Sequence, residues 1–407
     1  MDKFRKKFFN KFGILILVVL MLSALTFTAG AAANSSKQAE QKVDYTKADA
    51  FQDVMFLLQN YYVEDVDFET LIEGAINGML NEVDRYSYFM NASEYDEMQE
   101  EYEGHYGGIG IVITMRDNKL TIVSPIKDTP GEKAGLRAGD IITAIDGQET
   151  EEISQRKAVE MMRGEEGTEV ILTIDRGDDS PFDQKITRKD IEVSYVETEM
   201  KTEQIGYISL AQFIENVGSD VETAVQDLKA QGAKGIILDL RNNPGGLLNE
   251  AVDVASVFLE EGVVVSVRQK DETERVLEVN QDLETDTEIP LIVLINKGSA
   301  SGSEIVAGAI KDYNRGKLIG TTTFGKGVVQ SVVPLEDGSA VSLTTARYYT
   351  PAGNYIHQKG IKADLNIELD LEAAQADGSD NQLAKAIAEM ENMIFVRDFQ
   401  KQKAAGE

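Results

Sequence analysis

The chain has 407 residues, 42% of them apolar, and a formal net charge of −30. That length carries two or three domains with sizeable cores, and the acidity repels phosphates and so excludes nucleic acid as a partner. Cysteine is absent, which excludes disulfides and thiolate metal sites and fits an exported protein that avoids oxidation.

Lys3, Arg5, Lys6, Lys7 and Lys11 form a basic opening, followed by an uncharged, apolar or small run from Phe12 to Ala33 that ends in Ala31-Ala32-Ala33. Residues 1–35 therefore read as a signal peptide or an uncleaved membrane anchor, the run being long enough to span a bilayer if left uncut. Either way the remainder lies outside the cytoplasmic membrane of a bacterium, secreted or anchored, and meets the membrane only through this segment. A polar linker leads into a helical region that completes residues 36–103. There Phe51, Val54, Met55, Leu58 and Tyr62 share one helical face, as do Ile72, Ile76, Met79 and Leu80. This region reads either as a dimerisation arm or shield, or as a small cap on the domain that follows.

From residue 104 to 189 the pattern changes to short strands and glycine turns: Tyr106-Gly107-Gly108-Ile109-Gly110-Ile111, then Ala134-Gly135-Leu136, Gly139-Asp140 and Ile145-Asp146-Gly147, with a helix over Ser154–Met162. This stretch resembles a PDZ domain. The resemblance makes Gly108, Ile109, Gly110 and Ile111 the loop that holds a terminal carboxylate, with the following strand pairing to the peptide. A PDZ fold too closed to bind anything is the alternative. Arg163, at the end of the helix, is a charge placed to report occupancy, or else a surface residue.

Residues 194–366 read as α/β. Gly206–Leu210 and Gly235–Leu240 are strands, the second buried by its continuous apolar run, and Val217–Gln231 is a helix closed by Gly232. The second strand ends in Arg241-Asn242-Asn243-Pro244-Gly245-Gly246, a turn whose free amides face a cleft, with Asp239 as an ion-pair partner of Arg241. A buried strand then runs to Ile295. Gly298-Ser299-Ala300-Ser301-Gly302-Ser303-Glu304 follows, and Ile305–Ile310 opens a helix. Ser301 and Glu304 have capping-box spacing, which places Ser301 at the helix start, where free N–H groups and the helix dipole stabilise a developing oxyanion. The serine cluster reads as a nucleophile turn or as a simple cap.

A nucleophilic serine needs a base. The only histidines, His105 and His357, lack an obvious carboxylate to orient them. Lys326, between Gly325 and Gly327 and before the strand-like Val328–Val333, is the candidate. Burial has to bring its pKa down by roughly 3 units, about 4 kcal/mol, for it to act near neutrality. On a strand Lys326, Val328 and Gln330 share one face, so the Gln330 amide can aim the amine. The same lysine also reads as a solvated turn residue. Gly320–Lys326 matches the start of a phosphate-binding loop, but Gly327 stands where the magnesium-binding Ser or Thr belongs, and a strand follows instead of a helix.

The Ser-Ala-Ser-Gly-Ser-Glu turn, Phe324-Gly325-Lys326-Gly327-Val328-Val329-Gln330, Asp239–Gly246 and Thr344–Pro351 together resemble the carboxyl-terminal processing peptidases, or tail-specific proteases, over residues 45 to 365. The resemblance implies a mixed α/β protease core of the crotonase and ClpP type, with a PDZ domain before it and helical segments at both ends. It selects Ser301 over Ser299 and Ser303, because the family's lysine follows its nucleophile by the 25 residues that separate Ser301 from Lys326. It also implies an oxyanion hole from the Gly246 or Gly245 amide together with that of Gly302, where the family more often has alanine. No cofactor and no metal are implied. The expected partners are proteins or peptides with apolar C-termini. The tail, residues 367–407, opens acidic and low in structure. It ends in an amphipathic helix with Leu383, Ile387, Met390 and Ile394 on one face, a contact for a homodimer or larger assembly. The reading is an exported serine endopeptidase; a non-catalytic PDZ adaptor is the alternative.

Overall fold

The computed structural model describes residues 46–405, apart from 117, 152 and 178–179. The leader expected over residues 1–35 lies outside the described residues. Among the described residues, no helix is long and apolar enough to cross a membrane. The described residues divide into two compact units, one up to residue 75 and one from residue 76 onward. In the first, α1 (Thr46–Tyr61) leaves Phe51, Val54, Phe56 and Leu57 exposed; α2 (Phe68–Asn81) begins there.

The second unit opens with β1 (Tyr88–Met90) and α3 (Ala92–Glu103). Asn91 and Glu94 cap α3 reciprocally, and Gly104 ends it in the left-handed conformation. The β-domain follows: β2 (His105–Gly108), β3 (Ile111–Arg116), β4 (Lys119–Pro125), α4 (Pro130–Lys133), β5 (Ile141–Ile145), β6 (Gln148–Glu149), α5 (Gln155–Met162), β7 (Glu169–Asp175), β8 (Phe182–Thr187) and β9 (Lys189–Glu192). Its main sheet runs β3-β4-β5-β7-β8, with β6 on β5, while β2 pairs with β9. Alternation builds its core: Val170, Leu172 and Ile174 on β7 are fully buried, and the residues between them are not.

The α/β part comprises β10 (Val196–Thr202), β11 (Ile205–Leu210), α6 (Val217–Ala230), β12 (Gly235–Asp239), α7 (Leu248–Ser256), β13 (Val263–Gln269), β14 (Glu274–Glu278), β15 (Leu291–Ile295), α8 (Gly302–Asp312), β16 (Lys317–Gly320), β17 (Val328–Pro334), β18 (Ala340–Tyr349) and β19 (Leu365–Asn366). One sheet has the order β10-β11-β12-β15-β16-β19, parallel except at β10. The other is antiparallel, β1-β18-β13-β14 with β17 on β18. Val221, Val225 and Leu228 on α6, Val254 and Ala255 on α7, and Val306 and Ala309 on α8 join strand residues in one large core. β12 and β15 are buried at every residue, as strands covered on both faces must be.

Two helices, one short and one long, complete the described residues. α9 (Leu371–Asp377) forms in the stretch expected to be unstructured, because Asp370 accepts the Ala373 N–H at its start and Gly378 ends it in the left-handed region. α10 (Asn381–Ala405) carries the amphipathic face expected to meet a second copy. That face covers the chain's own parallel sheet instead: Ala386, Met390 and Ile394 pack on Ile237, Ile292, Leu294 and Ile319. Burying Met390 and Ile394 stabilises this closure by roughly 1.5–3 kcal/mol each. A Cβ at Gly235 would come 2.3 Å from Met390 Sδ, so glycine is what lets the helix sit this close. The exposed apolar residues left on α10 are Phe395, Val396 and Phe399.

Candidate active site

The buried strand β15 delivers the chain into the serine turn, and the three hydroxyls separate there. Ser299 and Ser303 are fully buried, and their hydroxyls donate to the Leu240 and Asn243 carbonyls at 2.7 and 2.9 Å. Ser301 is half-buried, is the N-cap of α8, and lines a cavity of about 360 Å3. Its φ of 52° and ψ of −110° are strained for a residue with a Cβ, a cost of order 1–3 kcal/mol that the surrounding bonds must hold.

Asn243 is the main support. Fully buried, it donates its side-chain amide to the Leu210 carbonyl and accepts the Gly245 N–H, while its own carbonyl accepts the Ala300 N–H. Gly245, at φ +106°, packs against the turn: a Cβ there would lie 2.7 Å from Ser301 Cβ and 2.9 Å from the Gly302 nitrogen. Of the amides of Gly245, Gly246 and Gly302, that of Gly245 is committed to Asn243, and the other two have no acceptor among the described residues. Both glycines line the same cavity as Ser301. Alanine at 302 would place its Cβ 2.9 Å from the Phe213 ring, so the glycine suits this neighbour.

Lys326 and Gln330 line that cavity too. Lys326 does not lie on a strand as expected: β17 begins two residues later, at Val328. Its backbone is held instead by Glu304. This fully buried carboxylate accepts the N–H groups of Ser301 (3.0 Å), Gly325 (2.7 Å) and Lys326 (2.8 Å) and the Thr323 hydroxyl (2.5 Å). Burial raises the Glu304 pKa, and the four donors pull against that rise. One side chain thus clamps the serine turn to the lysine loop. Capping spacing points to Glu304, but its bonds to residues 323–326 carry no local signal.

Burial lowers the Lys326 pKa, against the opposing charges of Glu304 and Asp84. Its Nζ sits 5.5 Å from the centroid of the Tyr86 ring. Among the described residues no hydrogen bond joins the Ser301 hydroxyl to the Lys326 amine. The Gln330 amide, expected to aim that amine, donates to Thr344 Oγ1 at 3.1 Å, beside a bulge that shifts the register after Val329. Tyr348 is buried against this site, with its hydroxyl 3.4 Å from the Ser301 carbonyl, and burial drives its pKa well up. His357 accepts the Gly327 N–H on Nδ1, which makes it part of the loop's support. Asp239 pairs with Arg241 at 2.6 Å, as expected, and Arg241 also reaches Asp380 at the start of α10.

In the β-domain, Gly108 ends β2 and Ile111 starts β3, with Ile109 buried between them. Gly110 has φ +71°, and a Cβ there would fall 2.3 Å from Thr129 Cβ. The Ile109 carbonyl accepts the Gly131 N–H, and the Gly110 carbonyl accepts the Ile126 N–H and Thr129 hydroxyl. β3 is an edge strand paired only with β4, and Gln155 of α5 reaches the Ile113 carbonyl at 3.4 Å. Arg163 caps the far end of α5. It pairs with Glu100 of α3 at 3.0 Å and stacks 4.7 Å over Tyr106, and its Nε is buried without a partner. The same α3 supplies Met98 and Tyr102 to the Ser301 cavity. Among the described residues, no group of three or more His, Asp or Glu side chains is placed to hold a metal.

The family model for peptidase family S41 matches residues 204–367, which contain Gly246, Ser301, Lys326 and Gln330. A carboxy-terminal-processing protease of Bartonella bacilliformis is 42% identical over 373 residues, covering 90% of this chain and 83% of that one. The chain belongs to this family of carboxy-terminal-processing proteases. It is a serine endopeptidase. A probable CtpA-like serine protease of Staphylococcus aureus is 36% identical over 357 residues, covering 87% of this chain and 72% of that one. A PDZ model matches residues 121–176, and a model of the N-terminal domain of the activating protease CtpB matches 20–94. A solved photosystem II D1 C-terminal processing protease is 29% identical, with TM-score 0.47, over 82% of this chain and 98% of that chain.

Proposed function

We propose that this protease cuts polypeptides with a Ser301–Lys326 dyad. Ser301 Oγ attacks the scissile carbonyl while neutral Lys326 takes its proton; the amine then returns that proton to the leaving nitrogen as the acyl-enzyme forms. Water, deprotonated by the same amine, attacks the acyl-enzyme, and the amine returns that proton to Ser301 Oγ as the acid leaves. The Gly246 and Gly302 amides receive the oxyanion. Gln330 orients the amine once it exchanges Thr344 for Lys326, in keeping with catalytic bonds that tighten only when substrate is bound. The observation that carries this reading is the sorting of the serine cluster. Two hydroxyls are buried on backbone carbonyls, and the third faces a cavity shared with a partly desolvated lysine.

The β-domain then takes an apolar C-terminal tail between β3 and α5, with the carboxylate at Gly108–Ile111. Arg163 links α5 to α3 and so to the cavity, which suits it to report occupancy. The protein works outside the cytoplasmic membrane, released or held there by residues 1–35. It assembles as a homodimer or larger through the apolar surfaces of its helical ends. The competing reading, a peptide-binding adaptor, draws on the unjoined Ser301 and Lys326 side chains. Digestion of β-casein separates the two: the dyad requires cleavage by the parent and none by Ser301→Ala or Lys326→Ala, with peptides of apolar C-termini added in case the tail must be bound first. Equal cleavage by Lys326→Ala removes lysine as the base.

A further inference from the structure

A second cavity, of about 730 Å3, shares Val328 with the catalytic one and includes His357, the residue that braces Gly327. Arg268, Lys270, Arg347, Tyr349 and Tyr355 form the rest of its character, with Glu272 the one carboxylate on its wall. Such a concentration of cations runs against a chain of net charge −30. Arg268 and Arg347 are direct cross-strand partners between β13 and β18, an opposition of like charges that costs stability unless something answers it. Arg268 pairs with Glu274 at 3.2 Å at the surface, whereas no carboxylate pairs with Arg347 among the described residues. Arg268 also lies over a ring, 4.4 Å from Tyr349, and Arg347 lies 5.8 Å from the Tyr355 ring. Those rings lie against each other at 5.4 Å, and Tyr355 stacks on His357 at 5.8 Å.

We propose that this cavity is a specificity subsite for an acidic side chain of the polypeptide being cut. The proposal rests on the placement of catalysis at Ser301 and adds a substrate preference to it. With Arg268 already paired to Glu274, a substrate carboxylate set against Arg347 answers the charge left over from the opposed pair and takes charge-assisted bonds there. An extended chain advances about 3.3 Å per residue, so a substrate leaving the catalytic cavity past Val328 enters this one within a few residues.

Binding to the full-length Ser301→Ala protein tests it without requiring turnover. Short fluorescent peptides carry a single Glu, or Gln in its place, walked through the positions that flank the cleavage point. At one register the Glu peptide should bind about five- to tenfold tighter than its Gln twin, and the advantage should shrink as salt is raised. Arg347→Gln should abolish the difference, Arg347→Lys should restore part of it, and Arg347→Glu should turn it toward a Lys peptide. Arg347→Gln should melt no lower than its parent, because it relieves the like-charge opposition; a fall of several degrees would make Arg347 structural and overturn the proposal. Equal binding of Glu and Gln peptides at every register would also overturn it. So would a preference that survives both Arg268→Gln and Arg347→Gln, or a tight grip on heparin without peptide discrimination, which would make the cavity a polyanion site. A Glu preference in binding, with no cleavage by the Ser301 protein, would instead sink the dyad and leave this subsite standing.

Discussion

The two sides of the catalytic cavity are built differently. The serine turn is frozen: β15 feeds it, the Ser299 and Ser303 hydroxyls are buried on backbone carbonyls, Asn243 bonds to it and Gly245 presses against it. The lysine side is a coil between Thr321 and Gly327, attached by its backbone to Glu304, His357, Ile361 and the Ser299 carbonyl, with its side chain over Tyr86. So Ser301 is set in advance by packing, whereas at Lys326 it is the backbone that is fixed. The contrast teaches where catalysis can be tuned. A strained backbone persists only where its surroundings over-determine it, whereas a long amine on an otherwise anchored loop can change partner by rotating its own bonds.

The sharpest break comes from the frozen side. Ser301→Ala should lower kcat/KM by about 10^4-fold or more, with a melting temperature close to the parent's because the bonds that hold this turn run through the Ser301 backbone and the Glu304 carboxylate. A comparable loss of stability would mean that the serine is a cap and not a nucleophile. Next comes the clamp between the two sides. Glu304→Ala leaves three N–H groups and a hydroxyl without their acceptor in a buried place, and should cost about 3–4 kcal/mol in denaturant unfolding. A cost under about 1 kcal/mol would show that the sides hold without it.

The lysine side is read through pH. Lys326 acts as a base only when neutral, so kcat/KM should rise with pH through an ionisation below the ordinary lysine value of 10.5, since burial lowers it. Glu304→Gln removes a negative charge that favours the ammonium, and should move that limb to lower pH. A limb that stays put, or moves up, would disconnect it from Lys326. Gln330→Ala should reduce kcat by about tenfold with KM little changed, and an unaltered kcat would leave Gln330 to Thr344 alone. The smallest effect lies away from the cavity, where Arg241 joins the β12 turn to α10. Burial alone would raise the Asp380 pKa, but the Arg241 hydrogen bond and charge bring it below the ordinary value. A depressed carboxylate adds stability that is present above its unfolded pKa and is lost as pH falls through the folded one. Asp380→Asn should therefore cost about 1 kcal/mol at neutral pH and flatten the acid side of the melting curve, as thermal scans at pH 3 to 7 would show.

Much of this arrangement is written locally. The apolar run Leu291–Ile295, the Ser301–Glu304 spacing and the glycines at 245, 246 and 302 sit within a few residues of what they shape, so strand, cap and turn chemistry expose them. The alternation in β7 and the Ser154 cap of α5 are legible for the same reason. The failures share a cause as well. β1 is three residues long, too short for any period, and exists because Tyr88–Met90 pair with Ala340–Ser342 far along the chain. The α10 face was legible as apolar, but its periodicity cannot say whether a second copy or the chain's own sheet covers it.

By itself, then, the sequence determined the serine turn at a helix start, the lysine and its distance along the chain, and the family to which the chain belongs, because each depends on residue type and short spacing. The tertiary structure alone decided which two serines are buried, that Glu304 binds the lysine loop, that Gln330 rests on Thr344, and that Arg268 faces Arg347. Each of these joins segments between 14 and 79 residues apart, and only the closing of the sheets settles which distant groups meet.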